Sequence, residues 1–172
     1  MLRIDLRAVD ESPIDVSGTI AVDDSVFDEV DLDLRKPVQV SGRITRAGPG
    51  RFYWRGRIGT SIGGECRRCL AALETSIDEP VDILFAEGAD AEDPAEYPIP
   101  EDLDILDLRD AVREELVLAA PAFALCRDDC AGLCARCGKD LNTGPCECSP
   151  QPDPRWAALE ALRDTAPRGE ES

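Results

Sequence analysis

Hydrophobic residues in the first half of the chain occupy alternate positions, the period of strands that bury one face. Leu2, Ile4 and Leu6 alternate with Arg3, Asp5 and Arg7, and Ile14, Val16, Gly18, Ile20 and Val22 alternate with Asp15, Ser17 and Thr19. Val30, Leu32 and Leu34 face away from Asp31 and Asp33. Val38, Val40, Gly42 and Ile44 come next, then a turn at Ala47-Gly-Pro-Gly50, then a strand whose even face is Phe52, Trp54, Gly56, Ile58 and Ile62. Beyond Cys69 the apolar parity becomes odd, through Leu73, Ile77, Val81, Ile83 and Phe85. A two-residue hairpin loop at Arg67-Arg68 accounts for both parities. It pairs Ile62 with Leu73, Ile58 with Ile77, Trp54 with Val81 and Phe52 with Ile83, and it sets Cys66 opposite Cys69. Two arginines do not suit the positive-φ turn of so short a hairpin, so a metal bridging the two cysteines is expected to hold the tip. A five-residue loop from Ala47 to Arg51 pairs Ile44 with Trp54 and places Arg43 opposite Arg55.

From Ala86 to Asp104 the chain is acidic, contains three prolines and loses its period, which predicts a mobile loop. Asp107 is placed to cap a helix with Leu108, Val112, Leu116 and Ala119 on one face, ended by Pro121. A second helix is expected from Asp153-Pro154, with Trp156, Leu159 and Leu162 in one stripe. The pattern predicts an α+β protein: an N-terminal antiparallel β-sheet with a packed helix over residues 1–121, a small cysteine-rich zinc-binding module with its helix over 122–165, and a disordered tail over 166–172. No run reaches the roughly 18 apolar residues of a membrane span, and the first residues lack the basic and apolar regions of a secretory signal, so a cytoplasmic location is expected.

The chain of 172 residues contains no histidine, which removes Ser-His-Asp triads, Cys-His nucleophiles and imidazole-ligated catalytic zinc. Its eight cysteines run Cys66-x2-Cys69, then Cys126-x3-Cys130-x3-Cys134-x2-Cys137-x8-Cys146-x-Cys148. In a reducing compartment such clustered thiols read as metal ligands and not as a disulfide framework. Cys134, Cys137, Cys146 and Cys148 suit one tetrahedral site, because a Cys-x2-Cys turn followed by Gly138 presents two sulfurs to one ion. Cys66, Cys69, Cys126 and Cys130 remain for a second site that ties the hairpin tip to the C-terminal segment. One or two structural zinc ions are expected; an iron–sulfur cluster and redox-active thiols are the alternatives. The arginines beside Cys66 and Cys69 would lower a thiol pKa, so a thiol-disulfide oxidoreductase or redox sensor at that pair is the competing function.

Formal charge is −17, which argues against a general phosphate-neutralising binder. Residues 35–68 nevertheless hold nine bases against the single acid Glu65, a local balance of +8. Arg43, Arg51, Arg55, Arg57, Arg67 and Arg68 are therefore candidates for contact with phosphate or another partner. The other reading is internal: the two-residue loop sets Arg57 opposite Asp78 and Tyr53 opposite Asp82.

Four segments in order resemble the YceD family: Cys66-Arg-Arg-Cys-Leu70; Glu114-Glu-Leu-Val-Leu-Ala-Ala-Pro121 with Cys126 close behind; Gly132-Leu-Cys-Ala-Arg-Cys-Gly-Lys-Asp-Leu-Asn142; and Asp153-Pro-Arg-Trp-Ala-Ala-Leu159. The resemblance implies a part in accumulation of large-subunit (23S) ribosomal RNA, hence in bacterial ribosome biogenesis, without catalytic activity. The implied partner is a precursor large ribosomal subunit. The +8 segment favours contact with its rRNA and the overall −17 favours a basic ribosomal protein. Neither a membrane nor a small-molecule substrate is expected.

Overall fold

The computed structural model describes residues 2–88, 96–100, 103–148 and 155. The chain opens with β1 (Arg3–Asp5), which runs directly into a short helix, α1 (Leu6–Glu11). The alternation at Leu2, Ile4 and Leu6 is thus only half a strand. The Asp5 carboxylate accepts the Arg7 amide at 3.0 Å and turns the chain into α1, while Leu2, Ile4, Leu6 and Val9 all remain buried.

The main sheet is an antiparallel meander of β2 (Ile14–Ile20), β3 (Val38–Gly48), β4 (Arg51–Glu65) and β5 (Ala72–Glu87), with β6 (Tyr97–Ile99) added parallel to β5. β7 (Ile105–Asp107) pairs instead with β1, and α2 (Arg109–Ala119) follows it. The fold is α+β, as the pattern of apolar positions indicates.

Several expectations need correction. Val30, Leu32 and Leu34 do not form a strand. Leu34 makes an isolated bridge to Ile62, and its amide turns back onto the Leu32 carbonyl at 3.0 Å. The stretch from Ala86 to Asp104 is not one loop: Ala86 and Glu87 complete β5, Tyr97–Ile99 enters the sheet with Ile99 buried, and the next strand starts at Ile105. Strands of three residues are too short to show a period. The expected helix from Asp153-Pro154 and the tail over 166–172 lie outside the described residues, as do 89–95 and 101–102 within the acidic stretch.

The β3–β4 hairpin has Ile44 facing Trp54 and Arg43 facing Arg55, with a bulge before the Pro49-Gly50 turn. The β4–β5 register differs from the expected one by two positions: Trp54 faces Ile83, Phe52 faces Phe85 and Glu65 faces Ala72. A shift of two keeps every side chain on its face, so Trp54, Ile58, Ile77, Val81 and Phe85 still enter the core. The Trp54 indole lies in a slot left by facing Gly42 and Gly56. A Cβ on either glycine would stand 2.7 or 2.8 Å from Trp54 Nε1, inside van der Waals contact. Leu108, Ala111, Val112 and Leu116 carry the α2 face into the same core. The Arg109 amide donates to Asp107 at 3.1 Å, and the helix ends at Ala119 before Pro121. No helix among the described residues is long and apolar enough to cross a membrane.

Two compact units divide the chain, Met1–Cys130 and Ala131–Ser172. The sequence pattern put a boundary after Pro121; residues 122–130 pack with the first unit, where the Arg67 amide donates to Ala124 O at 3.0 Å.

Candidate metal centres

The β4–β5 connection is the six-residue segment 66–71, not a two-residue turn. Its shape comes from two backbone hydrogen bonds: Cys66 N–H to Ala71 O and Leu70 N–H to Cys66 O, both 2.8 Å. This knuckle turns Cys66 and Cys69 toward one point, and it is what moves the strand register. Leu70 completes it at φ +58°, the one described non-glycine residue with positive φ. Cys126 and Cys130 arrive from the segment after α2. The Cys66–Cys130 and Cys69–Cys126 sulfurs are 3.8 and 3.7 Å apart, and all four lie within 4.8 Å of one another. Four sulfurs about 2.3 Å from one ion stand about 3.8 Å apart along a tetrahedron's edges, whereas disulfide sulfurs stand about 2.05 Å apart. The cluster has the dimensions of a mononuclear tetrathiolate site. Cys66 and Cys130 are buried, Cys69 is half-buried and Cys126 is exposed.

The second unit repeats the knuckle. Cys134 N–H donates to Lys139 O at 2.8 Å and Gly138 N–H to Cys134 O at 2.9 Å, with Gly138 at φ +72° where the first knuckle has Leu70. A bridge between Leu133 and Asp140 closes its base. Beyond it, Asp140 caps the turn Leu141–Thr143 through the Asn142 amide at 2.8 Å, and the Asn142 side chain takes the Ala131 amide at 2.8 Å. Lys139 Nζ holds Pro145 O at 2.7 Å. The chain thereby returns Cys146 and Cys148 to Cys134 and Cys137, all four sulfurs again within 4.8 Å.

Both knuckles prepare one thiolate. Backbone amides of Cys126, Cys69 and Arg68 point at the Cys66 sulfur and lower its pKa to about 6. Those of Cys137 and Arg136 lower Cys134 to about 6. At Cys126 and Cys148 the acidity runs the other way. Loss of hydration and then the neighbouring thiols raise Cys126 to about 12, and the Cys137 thiol and then burial raise Cys148 to about 12. Four thiols in one small volume do not all ionise without a cation among them; a divalent ion supplies that charge and releases the protons. Each cluster can hold one metal ion.

Seven of the nine bases in the positive segment have a carboxylate partner. Arg43 donates to Asp15 at 2.7 and 3.1 Å, Arg51 to Glu96 at 3.0 Å, Arg55 to Asp82 at 2.8 Å and Arg57 to Asp78 at 2.8 Å; Arg35, Lys36 and Arg46 pair with Asp33, Glu74 and Asp10. Tyr53 also donates to Asp82, and the Tyr53 and Arg55 bonds together hold that carboxyl below its ordinary pKa. In the actual register Arg57 faces Pro80 and Tyr53 faces Leu84, so both reach their acids diagonally. Arg67 and Arg68 differ. They donate to backbone carbonyls, Arg67 to Ala122 at 3.2 Å and Arg68 to Asp128 and Cys130 at 3.1 and 3.0 Å, and neither forms an ion pair among the described residues. Pattern reading passed over Phe123, an exposed ring 3.8 Å beneath the Arg67 guanidinium; it lies in an aperiodic segment and carries no motif.

A sheet-and-helix unit closed by one four-cysteine cluster, followed along the chain by a second unit with another, defines a small α+β protein with two thiol clusters that could each hold a metal ion. The chain belongs to the YceD family: the family model described as "Large ribosomal RNA subunit accumulation protein YceD" matches residues 54–163. Uncharacterized proteins of Mycobacterium tuberculosis and Mycobacterium bovis are each 32% identical over 143 residues, 81% of this chain and 64% of theirs. "Large ribosomal RNA subunit accumulation protein YCED homolog 1, chloroplastic" of Arabidopsis thaliana is 25% identical over 158 residues, 74% of this chain and 49% of that protein. The chain thus spans under two thirds of the length of these relatives. No solved structure matches it significantly.

Proposed function

We propose that this protein is a non-enzymatic ribosome biogenesis factor, acting in the cytoplasm on a precursor large subunit to support accumulation of 23S rRNA, with one structural zinc ion in each cysteine cluster. The family match carries the reading. The clusters support its non-enzymatic part: a metal held by four thiolates has no open position for substrate, and the chain has no histidine to serve as a base near neutral pH. Zinc suits the donor set, since four soft sulfurs in tetrahedral array match its preference, while an iron–sulfur cluster joins its cysteines to different iron atoms and needs a wider spread. The competing reading is a redox role for Cys66 and Cys69: Cys66 is fully buried and Cys69 half-buried, so such a reaction would start at Cys69.

The test is depletion of the protein from cells followed by measurement of mature and precursor 23S rRNA against 16S rRNA. A selective fall in 23S is expected. Unchanged 23S, with the protein absent from sedimenting large-subunit precursors, would refute the reading. Native mass spectrometry of freshly purified protein is expected to show two zinc ions, removed by a strong chelator together with the local structure around each cluster.

A further inference from the structure

We infer that Arg67, Arg68 and Phe123 form a contact site for an unpaired RNA nucleotide, a proposal that rests on the ribosomal RNA reading above and specifies how that RNA is touched. Charge is the first reason. Among the described residues, pairing with carboxylates neutralises seven of the nine bases between residues 35 and 68, and the two without such a partner are adjacent on one knuckle. A guanidinium has five N–H donors. Arg67 spends Nη1 on Ala122 O, and Arg68 spends Nη1 on Asp128 O and Cys130 O, so most donors of each remain for phosphate oxygens in an exposed position.

Presentation is the second. Arg67 binds the carbonyls on either side of Phe123, that of Ala124 through its amide and that of Ala122 through its side chain. These two bonds hold Phe123 outward, 66% exposed, with the Arg67 guanidinium carbon 3.8 Å from the ring centroid. A ring fixed in this way, with a cation on it and surface to spare, is a platform on which a base stacks. Beside it a groove of about 310 Å³ runs between the hairpin tip and the following segment, lined by Gly64, Leu70, Leu73, Pro121 and Ala122. The rest of a −17 protein repels a polyphosphate track, so the contact is local: one or two nucleotides that are already unpaired, not a duplex. A basic protein would be drawn to the acidic remainder of the chain, but the two arginines repel it at this spot.

The test uses full-length, metal-loaded protein and a fluorescently labelled single-stranded RNA of about ten nucleotides, a length within one small domain's reach, with a duplex of the same sequence as control. Anisotropy is expected to show preference for the single strand and a shallow salt dependence, a log–log slope of about −1.4 for two phosphates. Phe123→Ala should weaken binding about tenfold and Phe123→Trp restore it, with metal content unchanged. Arg68→Gln should flatten the salt slope, and Arg57→Gln, which removes a paired arginine, should change nothing. The inference is overturned if Phe123→Ala binds as well as wild type, if Arg57→Gln weakens binding as much as Arg68→Gln, or if the wild type ignores single-stranded RNA while binding a basic peptide. This experiment is independent of 23S levels in depleted cells, so RNA binding that fails here while 23S still falls on depletion refutes the contact and spares the broader function.

Discussion

The two knuckles make the same turn with different residues at its strained position, and that contrast yields a reversal of an ordinary rule. Alanine is normally preferred to glycine in folded structure, because glycine loses more backbone freedom on folding. At Gly138, φ +72°, an added Cβ meets no atom within 4 Å, so the cost of Gly138→Ala is entirely conformational. The left-handed region costs an L-residue roughly 1–2 kcal/mol, and reduced unfolded-state entropy returns about 0.4–1 kcal/mol, leaving a net loss of about 1 kcal/mol. Leu70 already carries this strain at φ +58° and is 58% exposed. Leu70→Gly relieves it but loses the part of the side chain that is buried, roughly 1 kcal/mol, so its stability should be close to wild type. Leu70→Ala loses the same packing without the relief. Glycine at position 70 should therefore be more stable than alanine by about 1 kcal/mol. Metal competition against a chromophoric chelator, together with urea unfolding of the metal-loaded protein, would measure both pairs, the expected difference being about fivefold in metal affinity. Equal stability of Leu70→Ala and Leu70→Gly, with Gly138→Ala neutral, would refute the account of the knuckles.

Three further outcomes are expected. Cys130→Ser should lose one metal equivalent and leave the other, with Cys148→Ser doing the same for the second cluster; native mass spectrometry that shows both ions lost in either variant would contradict two separate sites. Gly56→Ala places a Cβ 2.8 Å from Trp54 Nε1 and should destabilise the first unit by about 1–3 kcal/mol in chemical denaturation, with an altered Trp54 emission; an unperturbed protein would show that the slot is not filled as described. Asp107 is partly buried, which opposes ionisation, but the Arg109 hydrogen bonds and charge outweigh this and hold its pKa below the ordinary value. Its contribution, about 0.5–1 kcal/mol, is therefore complete above about pH 4 and lost as pH falls through the lower folded value, so Asp107→Asn should lose stability at neutral pH and converge with wild type in acid.

Much of the sheet is legible in the sequence because one face of it is buried: parity survives any shift of two, and Trp54, Ile58, Val81 and Phe85 stay inside in either register. The register itself was not legible. A two-residue turn maximises apolar pairing, yet the tip obeys the geometry of two sulfurs converging on one point, which takes six residues. At the β3–β4 hairpin the expected five-residue loop is instead a two-residue Pro49-Gly50 turn with a bulge between Arg46 and Gly48, and the extra residue of the bulge restores the facing of Arg43 and Arg55. What became of those arginines depended on β2 and β5, which bring Asp15, Asp78 and Asp82 alongside. The hairpin read from the sequence already brings Asp78 and Asp82 near Arg57 and Tyr53, whereas Asp10, Asp15 and Glu96 come alongside Arg46, Arg43 and Arg51 only through the fold. The cysteines fall into two fours. Short spacing suggests that grouping for Cys134 to Cys148, whereas only the fold can bring Cys66 and Cys69 to partners beyond residue 120.

That long-range closure explains why the segment after α2 is ordered at all. From Pro121 to Cys130 it has no regular secondary structure and, apart from Cys130, no buried side chain. Joining Cys66 to Cys130 spans 64 residues and Cys69 to Cys126 spans 57, and closing loops of that size costs about 4 kcal/mol in chain entropy. Hydrogen bonds from Arg67 and Arg68 contribute about 1 kcal/mol each, too little by themselves to offset it. A structural zinc ion bound by a small peptide supplies about 10–16 kcal/mol, several times the cost. The proposed metal, and not packing, would therefore decide whether residues 121–130 lie against the hairpin tip. Phe123 is held outward in that arrangement, so the surface proposed to meet RNA is expected in the metal-loaded protein and is expected to be lost, with the core of the sheet intact, when the first cluster is empty.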